Sequence, residues 1–238
     1  DTAPMLERLH LLGEYPFYFQ FTLTPYAENI EPHLPPKTKL MDTFLRLSEK
    51  TGKKKVIWRY DPILLTDRMT CEDHIDCFGE MAERLAGSTE KCVISFIDMY
   101  RHIQSRMNGL SVRPPDDSEM RRLAQGIARI ARRFGIRVET CAEKIDVADL
   151  DIGHGKCIDD RLIGELAGRD LQIGKDKYQR ELCGCVASVD IGRYNTCGHL
   201  CKYCYANVSR KKIEENRLLH NEESPLLAGG IGDQKNNH

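Results

Sequence analysis

The apolar pattern of this chain keeps changing period, and that alternation limits its fold more than any other feature. "DDSEMRRLAQGIARIARRFG" puts Met120, Leu123, Ile127, Ile130 and Phe134 on one helical face, with Gly135 closing the helix. The next residues, "IRVET" (136–140), read as a strand, as do "FYFQFTL" (17–23), "KVIW" (55–58), "CVISFI" (92–97) and "CVASVDI" (185–191). Helical spacing fills the intervals. Met5, Leu6, Leu9 and Leu12 mark a short helix ended by Gly13, and Leu40, Phe44 and Leu47 mark one ending near Gly52. Thr70 is placed to cap a helix carrying Ile75, Phe78, Met81, Ala82 and Leu85, and Asp159 to cap one carrying Leu162, Ile163 and Leu166. A last helix is expected from Cys204 through "CYANVSRKKIEENRLL".

Strands alternating with helices pair in parallel through right-handed crossovers. The expected fold class is therefore α/β, with a (β/α) barrel-like sheet of the TIM-barrel type. Five strands are too few to close such a barrel, so the first strand–helix units are expected upstream. The absence of an initiator Met agrees with that expectation. An open doubly wound sheet is the rival, but no G-x-G-x-x-G follows the first strand. One domain is expected over 1–220, followed by a Gly- and Asn-rich extended or disordered tail at 221–238.

The 238 residues carry a net charge of −1, which gives no global field toward nucleic acid or membrane. No apolar run approaches the roughly 18 residues that span a bilayer, and no signal peptide is visible, so a cytoplasmic protein is expected. Ten cysteines in a core-rich chain of this kind point to metal rather than to disulfide staples.

Polar residues gather at the C-terminal ends of the expected strands. They are Thr22, Thr24 and Tyr26, then Arg59 and Asp61, then Asp98 and Tyr100. Glu139, Cys141 and Glu143 lie at the end of the fourth strand, and Asp190, Tyr194 and Asn195 at the end of the last. In a parallel barrel these ends share the rim that carries the active site. Strand ends also meet solvent, which by itself favours polar residues. Asp61 with Asp98 could form an acid/base pair, and Arg59 could bind a substrate carboxylate or phosphate.

"YNTCGHLCKYCYAN" (194–207) places Cys197, Cys201 and Cys204 on one short loop. A disulfide, a zinc knuckle and an iron–sulfur cluster would each use such thiols. The C-x-x-x-C-x-x-C spacing suits a cubane with three protein thiolates and one open iron better than the paired C-x-x-C knuckles of zinc.

With Tyr203 at its aromatic position, this motif resembles that of radical S-adenosylmethionine enzymes. Together with "WRYDPI", "CAE", "CID", "CGC", "DIGRY" and "YCYAN", it resembles domain-of-unknown-function family 1848, which carries a C-terminal cysteine cluster like theirs. The resemblance covers essentially the whole chain. It implies a [4Fe-4S] cluster on Cys197, Cys201 and Cys204, with S-adenosylmethionine on the open iron. Radical hydrogen abstraction or chemistry like that of spore photoproduct lyase would follow. It also implies an external electron donor such as flavodoxin or ferredoxin, and a small-molecule or otherwise unassigned substrate. Tyr203, Asn195, Thr24 and Tyr26 are then the expected cofactor-binding residues. Arg59, Asp61, Asp98, Tyr100, Glu143 and Asp190 are the catalytic candidates. The motif follows the last expected strand rather than the first, which a circularly permuted barrel would accommodate.

Cys141, Cys157, Cys183 and Cys185 could hold a second cluster or a zinc ion. Alternatively, Cys183 or Cys185 could be a fourth ligand that makes the first site a closed structural zinc. In that case the protein would be a non-enzymatic, zinc-stabilised binding module. Cys71, Cys77 and Cys92 read as core, and His199 as a supporting or exposed residue of the loop. "SRKK" (209–212) reads as a solvated helix face, with a phosphate or nucleic-acid contact as the weaker alternative. "GGIG" (229–232) is no phosphate loop, because no Lys-Ser/Thr pair follows it.

Overall fold

The computed structural model describes residues 2–229. Five parallel strands form one sheet: β1 (Phe19–Thr22), β2 (Val56–Ile63), β3 (Lys91–Phe96), β4 (Arg137–Thr140) and β5 (Gly153–His154). Their order in the sheet is their order in the chain, with every neighbouring pair parallel. Among the described residues the strand order does not reverse. Among the described residues β1 and β5 are edges, and no pairing closes the sheet.

The helices are α1 (Lys37–Thr51), α2 (Cys71–Leu85), α3 (Arg101–Met107), α4 (Asp117–Arg133), α5 (Asp160–Ala167) and α6 (Arg210–Leu218). α1 packs on α2 and α2 on α4, which requires all three to lie on one face of the sheet. Capping boxes start α2 at Thr70 with Asp73, and α4 at Asp116 with Glu119. Asp159 caps α5 by accepting from the Arg161 and Leu162 amides. Among the described residues no helix is long and apolar enough to cross a membrane.

The core lies between β2, β3 and these helices. Trp58 and Phe78 are fully buried and stack at 4.7 Å, and the Trp58 indole donates to the Leu23 carbonyl at 2.9 Å. His74 is equally buried. Its Nε2–H donates to the Leu64 carbonyl at 2.8 Å, and its Nδ1 lies 2.9 Å from the Tyr60 hydroxyl. Cys71 and Cys92 are core residues as expected, while Cys77 is half-buried on α2.

Several expectations need correction. Among the described residues no strand forms over 185–191; Val186 makes an isolated bridge with Lys175, and Val189 and Ile191 are exposed. The fifth strand is instead Gly153–His154, which lies against Glu139 and Thr140 of β4. The first turns are short 3-10 segments, Ala3–Met5 and Leu9–Leu12, and not an α-helix. The last helix begins at Arg210 rather than at Cys204, because the Ser209 side chain caps it and the preceding residues belong to a bonded loop. β2 runs on to Ile63, so Arg59 and Asp61 lie within the strand and not beyond it.

The described chain divides into two compact units. The first gathers residues up to Pro25, Pro35–Asp98 and Leu110–Ser188, and contains the sheet. The second gathers Tyr26–Leu34, Met99–Gly109 and the chain from Val189. Its first two segments are the connections that leave β1 and β3. Of the expected tail, residues 221–229 form turns, with the Gly229 amide bonded to the Leu219 carbonyl at 3.1 Å. The rest of the tail, and most of "GGIG", lie outside the described residues.

One buried charge group ties the sheet to α5. Lys91 of β3 is 4% exposed, and its ammonium lies 3.0 Å from Glu139 of β4 and 3.3 Å from Asp159, the α5 cap. Removing the cation would leave two carboxylates with little water. Lys91→Met is therefore expected to destabilise the protein by about 3–5 kcal/mol, measured as a shift of the urea midpoint.

Candidate functional site

The motif loop belongs to the second unit, and side chains from several segments of that unit hold it. Asn195 and Leu200 adopt left-handed backbone conformations, with φ of 57° and 55°. Asn tolerates this readily. For Leu200 it costs about 1–2 kcal/mol, which the surrounding bonds must offset. Asn195 Oδ1 accepts from the Val208 and Ser209 amides at 2.7 and 3.1 Å, tying the loop entrance to the start of α6. Asn207 is buried, and its Nδ2 donates to the Cys197 carbonyl at 2.8 Å. From α3, Arg106 donates to the carbonyls of Cys204 and Asn207. The Lys202 amide bonds the Ile30 carbonyl at 2.9 Å, and the Cys204 amide closes a turn on the Cys201 carbonyl at 3.0 Å.

Three of the expected cofactor-binding residues, Asn195, Tyr203 and Tyr26, belong to this unit. Asn195 closes the loop. The Tyr203 hydroxyl donates to Glu31, and its ring meets the buried Tyr26 edge-on at 6.1 Å. His199 Nδ1–H donates to the His33 carbonyl at 2.9 Å, a supporting role as expected. Thr24 is buried in the first unit. Tyr100 and Asp190 are exposed in the second. "SRKK" opens α6, where Arg210 and Lys211 pair with Glu214 and Glu215 one turn on, as a solvated face would. Glu31, Arg106 and Asn207 were not among the sequence candidates, and only the folded loop identifies them.

Of the motif thiols, Cys201 is changed by its surroundings. Burial pushes the Cys201 thiol up to about 12, with Glu31 and then Cys204 and Cys197 adding to the rise against the Tyr203 hydrogen bond. A thiolate at Cys201 therefore needs a cation, and a metal centre supplies one. Among the described residues, no group of three or more His, Cys, Asp or Glu side chains is placed to hold a single metal ion. The thiolates of a cubane each take a different iron, so a shared point is not what a cluster asks of them. The donor set fits a cluster in its chemistry: three soft thiols on one loop, with the Arg106 guanidinium close by.

The strand-end residues of the first unit form a second assembly. Arg59 Nη1 lies 2.6 Å from both Gln20 Oε1 and Cys157 Sγ, and its Nε donates to Asp61 at 3.0 Å. Burial disfavours the guanidinium cation, but Asp61 and then Cys157 outweigh it and hold Arg59 protonated. Asp61 also accepts from Ser95, and Asp98 pairs with Arg180, so each of these carboxylates is engaged by a partner other than the other. Cys141 Sγ lies 3.2 Å from Cys157 Sγ, and Cys185 Sγ accepts from the Ile158 amide at 3.4 Å. Cys141 is held below the usual thiol range, first because Cys157 donates to it and then, against burial, because Arg59 faces it.

Glu143 is the acid/base candidate whose surroundings change it most. Its Oε1 accepts from the Phe96 amide at 2.8 Å. Burial, then Asp98, raise its carboxyl to about 7 against the Phe96 and Arg180 contributions. A carboxyl bound more tightly to its proton in the folded state stabilises at low pH, and that contribution is lost as pH rises. The stability attributable to Glu143 is therefore expected to fall between about pH 4.5 and 7. Glu143→Gln should flatten the denaturant midpoint across that window.

No curated protein and no solved structure matches this chain. A family model does match, and the matched residues include the strand-end assembly and all three cysteines of the motif loop. That model, described as domain of unknown function (DUF1848), covers residues 1–206, and the chain belongs to this family.

Proposed function

We propose that this protein is an iron–sulfur enzyme of the radical S-adenosylmethionine kind, with Cys197, Cys201 and Cys204 as ligands of a [4Fe-4S] cluster. The observation that carries the reading is the loop itself. Three thiols lie within eight residues on a backbone fixed by Asn195, Asn207 and Arg106, including one strained position at Leu200. A loop with only a covering role would need no such fixation. When bound, the cluster would supply the electron that cleaves S-adenosylmethionine, drawn from a flavodoxin- or ferredoxin-like donor.

The protein's own part is positional and electrostatic. Arg106 places a cation beside Cys201 and Cys204, and Asn207 holds the Cys197 carbonyl. The sequential order of the sheet supports an arc of a (β/α) barrel, in which connections leaving the C-terminal strand ends carry the chemistry. The connections after β1 and β3 are the ones that enter the unit with the motif loop. Glu143 offers a carboxyl able to hold or release a proton near neutrality.

Anaerobically purified protein should be brown and contain iron and sulfide in similar amounts. Cys201→Ala should lose both, whereas Cys71→Ala should keep them. Dithionite-reduced protein should cleave S-adenosylmethionine to methionine and 5′-deoxyadenosine. Colourless protein with stoichiometric zinc after reconstitution would sink the proposal and favour a structural zinc module.

Arg106 gives a finer test. Arg106→Ala should weaken cluster retention about tenfold in a chelator challenge, the cost usual for residues that orient metal ligands. Its thermal midpoint should move much less than that of Lys91→Met.

A further inference from the structure

The first unit holds a second set of thiols that the iron–sulfur reading does not use. Cys141 follows β4 and Cys157 follows β5, so adjacent parallel strands deliver both to the same end of the sheet. Gly155 makes the approach possible. A Cβ there would lie 2.7 Å from Glu139 Oε2 and 3.2 Å from the Thr140 carbonyl, and the Gly155 amide bonds that carbonyl at 2.7 Å. The Cys157 carbonyl is then pinned by Tyr18 and by Gln20 of β1. The result is a sulfur–sulfur distance of 3.2 Å.

That distance exceeds the roughly 2.0 Å of a disulfide bond by about 1 Å. Both cysteines sit in irregular bends and are half-buried, so neither must break a helix or a ladder to close the gap. Arg59 supplies the cation, 2.6 Å from Cys157 Sγ. The Cys185 sulfur accepts from the amide of Ile158, the next residue in the chain after Cys157, at 3.4 Å. Reactive cysteines sit in this kind of surrounding: positive, partly open and beside a second thiol.

We infer that Cys141 and Cys157 form a redox-active dithiol that exchanges with external disulfides. A thiolate at Cys141 attacks one sulfur of a low-molecular-weight disulfide. The disulfide bond breaks, and one external thiolate leaves and takes a proton from water. Cys157 then gives up its proton and attacks the Cys141 sulfur, releasing the second external thiol. The dithiol has lost two electrons and two protons, and the external disulfide has become two thiols. The reverse sequence reduces the pair. Arg59 stabilises whichever sulfur carries negative charge. This inference is independent of the cluster at Cys197, Cys201 and Cys204.

The full chain, prepared reduced and without oxygen, is incubated in mixtures of reduced and oxidised glutathione. Free thiols are then alkylated and the peptides mapped by mass. One reversible disulfide should appear, linking the Cys141 and Cys157 peptides and removing two of the ten thiols. Cys157→Ser should trap glutathione on Cys141, Cys71→Ser should behave as the unaltered chain, and Arg59→Met should slow the exchange about tenfold. Failure of any bond to form at these cysteines across the mixtures would overturn the inference. So would retained zinc or iron that shields Cys141, Cys157, Cys183 and Cys185 and is lost in Cys157→Ser. The mapping of the unaltered chain decides the question even if a variant fails to fold.

Discussion

A single buried ammonium organises the sheet end of this protein. Lys91 sits on β3 between Glu139 of β4 and Asp159, where water cannot compensate an unpaired charge. Such a group adds little net stability over apolar residues of the same size, but it tolerates few alternative arrangements. Asp159 is at once its partner, the cap of α5 and, through its amide, a donor to the Tyr18 hydroxyl at 3.0 Å. The segment carrying Cys157 is therefore fixed at its far end by charge and at Cys157 itself by Tyr18 and Gln20. The thiol contacts follow from that placement.

Much of the first unit was legible because its signals are local. "VIW" and "CVISF" are too apolar and too short for surface helices, and both became interior strands. Thr70 and Asp159 are capping residues that act within three positions of themselves, so sequence alone exposes them. β5 was illegible for the opposite reason. Gly153 and His154 have no strand propensity and are extended only because β4 offers them an edge. The same physics explains the missing strand at 185–191. Its alternation is real, but alternation needs a partner edge, and Val189 and Ile191 remain exposed without one.

The candidate sites divide along the same line. The C-x-x-x-C-x-x-C spacing is visible in any reading of residues 197–204, whereas the groups that fix the loop come from far away in sequence. Arg106 is separated by 98 residues from Cys204, and Tyr203 by 172 from Glu31. No periodicity announces such partners. Asn195 and Tyr203 belong to that loop, where they hold its backbone and its aromatic flank.

The two thiol sets also differ in what must happen before they can act. Cys197, Cys201 and Cys204 are separated by three or four positions, so gathering them costs little loop-closure entropy. A metal centre can assemble on such a loop and then order it, because binding and local folding share one free energy. Cys141 and Cys157 are 16 residues apart. They meet only after β4 and β5 pair and Gly155 passes beneath Glu139. The pairing of Cys141 with Cys157 is thus a consequence of the completed sheet. Its reactivity is tied to folding of the first unit, and the chemistry of the motif loop to what that loop binds.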